Sequence, residues 1–169
     1  MLELLILYAL NKQDNTLYGL KKLIATHYGE VSIPSHGALF PALKRLENEN
    51  LITVRKKLSS GGKRYTYYSI SGDTSDFFRK KFMEFNNAKS ETLDSFLMWL
   101  KIRLIVIDML DKNFLEEFKE KCLLKTNFYK KRIEEKLNDK YIELTRIQRT
   151  MIIQYEKELE EYEKLLERL

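Results

Sequence analysis

Gly37, Pro41, Lys44 and Asn48 recur at spacings of three and four. A helix through residues 37 to 49 places them on one face, with Phe40 and Arg45 at its flanks. Leu39, Ala42, Leu43 and Leu46 gather on the opposite side. The outward set is a small residue, a rigid apolar one, a cation and an amide. That chemistry suits a helix lying in a major groove, with close approach at its N-terminal end and cations further along. Pro41 removes a backbone hydrogen bond, and Gly37 leaves its own carbonyl room to tilt away from the proline ring. A slight bend is expected there. The N–H groups around Ser35, His36 and Gly37 open the helix and offer a phosphate site. A merely solvated amphipathic helix is the competing reading. The next segment favours the nucleic-acid one: Arg55, Lys56, Lys57, Lys63 and Arg64 cluster around "SSGG", a basic hairpin that supplies a winged helix's second contact. Lysines on an edge strand also discourage sheet-to-sheet pairing, and both roles are compatible.

Other chemistries find no support in the sequence. His27, His36 and Cys122 do not have metal-ligand spacing. There is no Gly-rich phosphate loop, nucleophile elbow or paired-carboxylate motif. We expect no catalytic residue, no metal site and no cofactor. The single cysteine excludes an internal disulfide and suits a reducing cytoplasm. No segment approaches the roughly 18 to 20 apolar residues of a membrane span. The opening "MLELLILYAL" lacks a basic leader and a cleavage site, so it reads as a core helix.

The charge is uneven. The chain of 169 residues carries a formal +5, and residues 1–73 hold ten Lys and Arg against six Asp and Glu. A cationic surface of this kind gains by releasing counterions from phosphates. All six glycines and both prolines lie at or before Gly72. The first part must turn often; the second is free to form long helices. We place the boundary at "SGDTSD", giving an N-terminal domain over 1–73 and an all-α domain over 74–169, with Thr74, Ser75 or Asp76 capping the next helix.

The elements that position the cations follow from local pattern. Residues 2–10 form an apolar helix, and "KQDNT" is a loop. A second helix, capped by Asn15 or Thr16, buries Leu17, Leu20, Leu23 and Ile24 and closes near Gly29. "EVSIPS" is extended, since the residue before proline avoids the helical region. Ser35 caps a third helix that runs to about Glu49. "LITVRKKL" and "KRYTYYSI" are strands joined at "SSGG". Helix, helix, helix, strand, turn, strand is a winged helix-turn-helix. The fold class is therefore mainly α with a small β-hairpin.

The second part reads as three or four helices. "TLDSFLMWLKIRLIVIDML" is apolar on nearly every side, hence buried or at an interface. A long helix is expected from about Leu123 to the C-terminus, interrupted near Asn138. Tyr141, Leu144, Met151, Tyr155, Tyr162, Leu165 and Leu169 fall at heptad a and d positions, and Ile152, Leu159 and Leu166 form a parallel third column. Such a wide stripe is covered either by the same chain or by a second copy. We expect a homodimer, with Tyr141, Leu144, Met151, Tyr155, Leu159, Tyr162 and Leu166 as its seam. Phe96 and Trp99 are candidates for an effector pocket, against the plainer reading of core aromatics.

Three segments carry a family resemblance. "LYGLKKLI" (17–24), "PSHGALFPALKRLENENLI" (34–52) and "GGKRYTYYSIS" (61–71) resemble the second helix, third helix and wing of PadR-type transcriptional regulators. The resemblance covers about the first 73 residues, and its most specific element is the aromatic-Pro run at Phe40–Pro41. It departs at Phe40, where the family usually has Tyr, and at Asn50, where a helix-ending Gly is usual. Tyr65 and Thr66 stand where family wings tend to be basic. The resemblance implies a cytoplasmic dimer that binds short inverted repeats in double-stranded DNA, represses, and releases DNA on a small-molecule or stress signal. It adds Tyr18 to the DNA-contact candidates Ser35, His36, Gly37, Phe40, Lys44, Arg45, Lys63 and Arg64. The alternative function is a winged-helix protein–protein interaction module without sequence-specific DNA binding.

Overall fold

A computed structural model describes residues 1–29, 33–58, 61–84, 92–139 and 143–169. The elements run α1 (Leu2–Lys12), β1 (Asn15–Thr16), α2 (Leu17–Tyr28), α3 (His36–Asn48), β2 (Ile52–Leu58), β3 (Arg64–Ile70), α4 (Ser75–Met83), α5 (Leu93–Ile105), α6 (Lys112–Asn138) and α7 (Arg146–Glu167). A 3-10 turn at Ile107–Met109 follows α5.

The helix ends are set by side chains named in the sequence. Thr16 Oγ1 accepts the Gly19 N–H at 3.0 Å and starts α2. Ser35 Oγ accepts the Ala38 N–H at 3.1 Å and starts α3. Asn50 takes the left-handed conformation with φ 58. The chain then turns back so that the Leu51 N–H reaches the Leu46 carbonyl at 2.9 Å. Asn thus does at this helix end what glycine commonly does. Gly29, by contrast, is right-handed with φ −62, so α2 ends there without a left-handed cap.

Three antiparallel strands form one sheet in the order β1-β3-β2. Asn15 and Thr16, expected in a loop, instead pair with Tyr68 and Tyr67. Two residues are too few for strand alternation to show in sequence. In the hairpin, Gly62 has φ +75 at the turn, while Ser59 and Ser60 lie outside the described residues. So do Glu30 to Ser32 of the stretch expected to be extended.

The chain divides into two compact units, Met1–Lys89 with Met98–Leu110, and Ser90–Leu97 with Asp111–Leu169. The division falls within α5. The expected boundary at residue 73 marks the end of the sheet, and the first unit extends past it. In this unit α1 is buried along Leu4, Leu5, Ile6, Leu7 and Leu10. Around it are buried Leu20 and Ile24 of α2, the Leu39, Ala42, Leu43 and Leu46 face of α3, and Ile52 and Tyr68 of the sheet. Leu17 and Leu23, expected in this core, are only half-buried. Phe78, Phe82, Trp99 and Leu100 are fully buried in the same unit.

The second unit corrects the expected long helix. α6 begins at Lys112, where Asp111 Oδ1 accepts the Phe114 N–H at 3.0 Å, well before Leu123. It ends at Asn138. α7 starts afresh at Arg146 with a capping box: the Gln148 N–H donates to Thr145 Oγ1 at 3.2 Å and the Thr145 N–H to Gln148 Oε1 at 3.0 Å. α7 packs along α6 of the same chain. Ile152, Leu159 and Leu166 are its buried residues, and Phe118, Cys122, Tyr129 and Ile133 are among those of α6. The Lys130 ammonium meets the Glu163 carboxylate at 2.7 Å beside them. Thr145→Ala removes the Oγ1 acceptor of the Gln148 N–H while keeping the backbone N–H that donates to Gln148, and should lower stability by about 0.5–2 kcal/mol. A shift in the urea midpoint checks this, and an unchanged midpoint would mean the box does not hold α7.

Candidate nucleic-acid interface

The exposed side of α3 is the set read from its periodicity. His36, Gly37, Ala38, Phe40, Pro41, Lys44, Arg45 and Asn48 face solvent. The helix runs through Pro41 without a break. The first N–H groups, at His36 and Gly37, precede the helix's own bonding pattern and are directed outward at its start. Tyr18 is 69% exposed at the first turn of α2.

Between α3 and the hairpin runs a groove of about 220 Å³. Phe40, Lys44 and Glu47 line it from the helix, and Lys56, Thr66 and Tyr68 from the strands. Strand pairing explains which hairpin residues reach it. Val54 pairs with Tyr68, Lys56 with Thr66 and Leu58 with Arg64, so these share the helix-facing side. Arg55 pairs with Tyr67 and Lys57 with Tyr65 on the reverse side. There the Lys57 ammonium lies 5.2 Å from the Tyr67 ring centre, and the Lys63 ammonium lies 5.6 Å from that of Tyr65. The basic cluster around "SSGG" is thus two faces, with Lys56 and Arg64 on the side of α3.

The helix cations already have partners. Lys44 Nζ lies 2.7 Å from Glu47 Oε2, and this bond raises the lysine pKa above its ordinary value. Arg45 Nε donates to Glu3 Oε1 of α1 at 2.7 Å, with Glu3 largely buried. Arg45 therefore ties α3 to α1, and Lys44 presents its charge beside a carboxylate. Lys56 was not among the contact candidates drawn from sequence. Its shared parity with buried-face Val54 was the signal that placed it in the groove.

The transcriptional regulator PadR-like family model matches residues 6–74, the span of this winged helix. A PadR family transcription regulator from Clostridium difficile R20291 is 31% identical, over 50% of this chain and 86% of that one, with a TM-score of 0.42. The chain belongs to the PadR family of transcriptional regulators. A PadR-like regulator from Bacillus cereus is 33% identical over 41% of this chain and 66% of its own, at a TM-score of 0.37. Bacillus subtilis PadR in complex with operator DNA is 16% identical, covering 99% of this chain and 94% of that one, at a TM-score of 0.40. No curated protein is significantly similar to the chain. PadR-family members are transcriptional regulators, not enzymes, and the groove lies within the matched residues 6–74. Among the described residues no helix is long and apolar enough to cross a membrane.

The remaining candidates of this PadR-family chain sit in the α5–α7 region. Phe96 is fully buried in the second unit, its ring stacked on Tyr129 at 5.2 Å. Trp99 is fully buried in the first unit, with the Arg103 guanidinium 4.0 Å from its ring centre. The two aromatics are thus in different units, each in packed surroundings. Of the seam candidates, Leu159 and Leu166 are fully buried within the chain. Leu144, Tyr155 and Tyr162 are half-buried, Met151 is 49% exposed, and Tyr141 lies outside the described residues.

Proposed function

We propose that this chain is a homodimeric, sequence-specific DNA-binding repressor acting in the cytoplasm. It reads an inverted-repeat operator and is released by a small-molecule or stress signal. The observation that carries the reading is one groove lined by Lys44, from the outward face of α3 that also holds Gly37, Pro41 and Asn48, and by the hairpin cation Lys56, with Arg64 on the same side of the hairpin by register. Residues 1–73 bind DNA and residues 74–169 dimerise. Apolar side chains left exposed on one chain support a second copy: Leu124 and Phe128 on α6, and Ile147, Met151 and Leu165 on α7. Two winged helices in such a dimer read half-sites about 34 to 36 Å apart.

Selection from a random duplex library at near-physiological salt tests the reading. An enriched two-fold repeat supports it, and binding without enrichment overturns the sequence-specific part. Gly37→Ala tests the contact face. A Cβ at Gly37 would meet only Ser35 Oγ, at 3.7 Å, so the variant folds without strain. If the helix end approaches DNA closely, its operator affinity falls about tenfold, equivalent to ~1.4 kcal/mol, at unchanged thermal midpoint. Equal affinity removes Gly37 from the contact face.

A second reading is favoured by the ion pairs on α3. Lys44 and Arg45 are both engaged by carboxylates of the same chain, which weakens the helix as a phosphate binder. A protein–protein interaction module with no preferred DNA sequence would fit that arrangement. Failure to enrich any sequence in the selection favours it.

A further inference from the structure

Side chains alternate along the β2–β3 hairpin, so its two faces carry different chemistry. One face looks onto the α3 groove. The other carries Arg55 and Lys57 on β2, Tyr65 and Tyr67 on β3, and Lys63 at the tip. Arg55 pairs with Tyr67 and Lys57 with Tyr65, so two cations and two aromatic rings form one block of cross-strand neighbours. Arg55 and Lys57 are exposed, Tyr65 is 38% exposed and Tyr67 is half-buried.

This face is cationic without internal relief. Residues 50–72 contain no Asp or Glu. Among the described residues Arg55 and Lys57 meet no carboxylate, whereas Lys44 and Arg45 of α3 are engaged by Glu47 and Glu3. The complement to their charge is therefore an anion from outside the chain. The rings narrow its kind. Tyr65 and Tyr67 stand two residues apart on one strand, about 6.8 Å by two rises of ~3.4 Å. Stacked nucleotides advance about 3.4 Å per base along a strand. Consecutive bases can meet both rings only when the strand is unstacked and drawn out, and a duplex has no free base faces to offer. Aromatic residues beside basic ones on a sheet surface are how proteins stack successive bases of a single strand. The ammonium groups sit beside these rings, Lys57 at 5.2 Å from the Tyr67 centre and Lys63 at 5.6 Å from the Tyr65 centre, within reach of the phosphates of stacked nucleotides. An acidic protein segment would satisfy the cations and leave the rings unused.

We propose that the hairpin face turned away from α3 binds single-stranded nucleic acid, with bases stacked on Tyr65 and Tyr67 and phosphates held by Arg55 and Lys57. The site is separate from the α3 groove and does not depend on the operator reading. Fluorescence anisotropy of the full chain tests it, with labelled oligothymidylate and oligouridylate of about 12 nucleotides, within the roughly 4–16 that single-strand sites span. A random-sequence duplex of the same length and polyglutamate are the comparison probes. Both single strands should bind; a preference for one names RNA or DNA as the natural strand, and equal binding supports the shared chemistry. Tyr65→Leu with Tyr67→Leu removes both ring faces and should weaken single-strand binding about 30-fold or more. Duplex affinity, which gains nothing from stacking, should not change. Tyr65→Phe with Tyr67→Phe keeps the rings and should keep the affinity. Arg55→Gln with Lys57→Gln should make the single-strand slope of log affinity against log salt shallower by about 1.4, at about 0.7 per phosphate. If the leucine pair disturbs the hairpin, that slope still decides, because an unchanged slope overturns the proposal. So does a leucine pair that binds as tightly as the original chain, a phenylalanine pair that loses as much as the leucine pair, or no single-strand binding at all. Polyglutamate bound as tightly as the single strands also overturns it, by showing a face that takes any polyanion.

Discussion

Replacing Lys44, Lys63 and Arg64 together by alanine is expected to lower operator affinity by roughly 10²–10³-fold near physiological salt. The dimer proposed above would lose six cations, from Lys44 and Arg64 on the α3 side and from Lys63 at the hairpin's tip. Each neutralised phosphate contributes about 0.9 to the slope of log affinity against log salt. An original slope of roughly −5 to −9, for about 6 to 10 phosphates, should therefore become shallower by about five. Lys44 contributes less than a free lysine would, because binding DNA competes with its 2.7 Å bond to Glu47. Its removal also leaves the Glu47 carboxylate facing the groove without its cation, which adds repulsion. All three side chains are exposed or at the hairpin's far end, so the thermal midpoint should barely move. Fluorescence anisotropy at several salt concentrations measures both quantities. An unchanged slope would mean these residues do not meet phosphates, whatever happens to affinity at one salt concentration.

The outward face of α3 was legible because helical periodicity alone determines it. Leu39, Ala42, Leu43 and Leu46, gathered by a 100° step, are the residues α3 buries. The caps at Thr16 and Ser35, and the left-handed turn at Asn50, follow from local side-chain chemistry in the same way. The partners of the cations did not follow. Arg45 meets Glu3, 42 residues away in sequence, and no local rule selects that carboxylate. The split of the basic hairpin into two faces depends on register, which Gly62 and the turn set, although the parity of Val54 and Lys56 already hinted at it. The break after Asn138 was expected, but with neither Gly nor Pro there its extent was not legible. Only Thr145 and Gln148, at capping-box spacing, marked the new start. The wide stripe on α7 offered two columns, and sequence alone could not assign one to the chain itself and the other to a partner.

Leu159→Ala and Leu165→Ala distinguish those columns. Leu159 is fully buried between α7 and α6, whereas Leu165 is 47% exposed. Truncating Leu159 leaves a cavity inside the unit and should cost about 2–5 kcal/mol of unfolding free energy. Truncating Leu165 in an isolated chain should cost no more than about 0.5 kcal/mol. If a second copy covers the outer column, the Leu165 effect grows with protein concentration, because unfolding and dissociation are then linked. Met151→Glu combined with Leu165→Glu should in that case yield a monomer by sedimentation while leaving helix content intact, since Met151 is also 49% exposed and outside the buried column. The reverse pattern, a dimer lost on Leu159→Ala with little change in monomer stability, would mean that the Ile152, Leu159 and Leu166 column belongs to the seam between chains. Equilibrium denaturation at two protein concentrations therefore decides which stripe holds the chain to itself and which holds it to its partner.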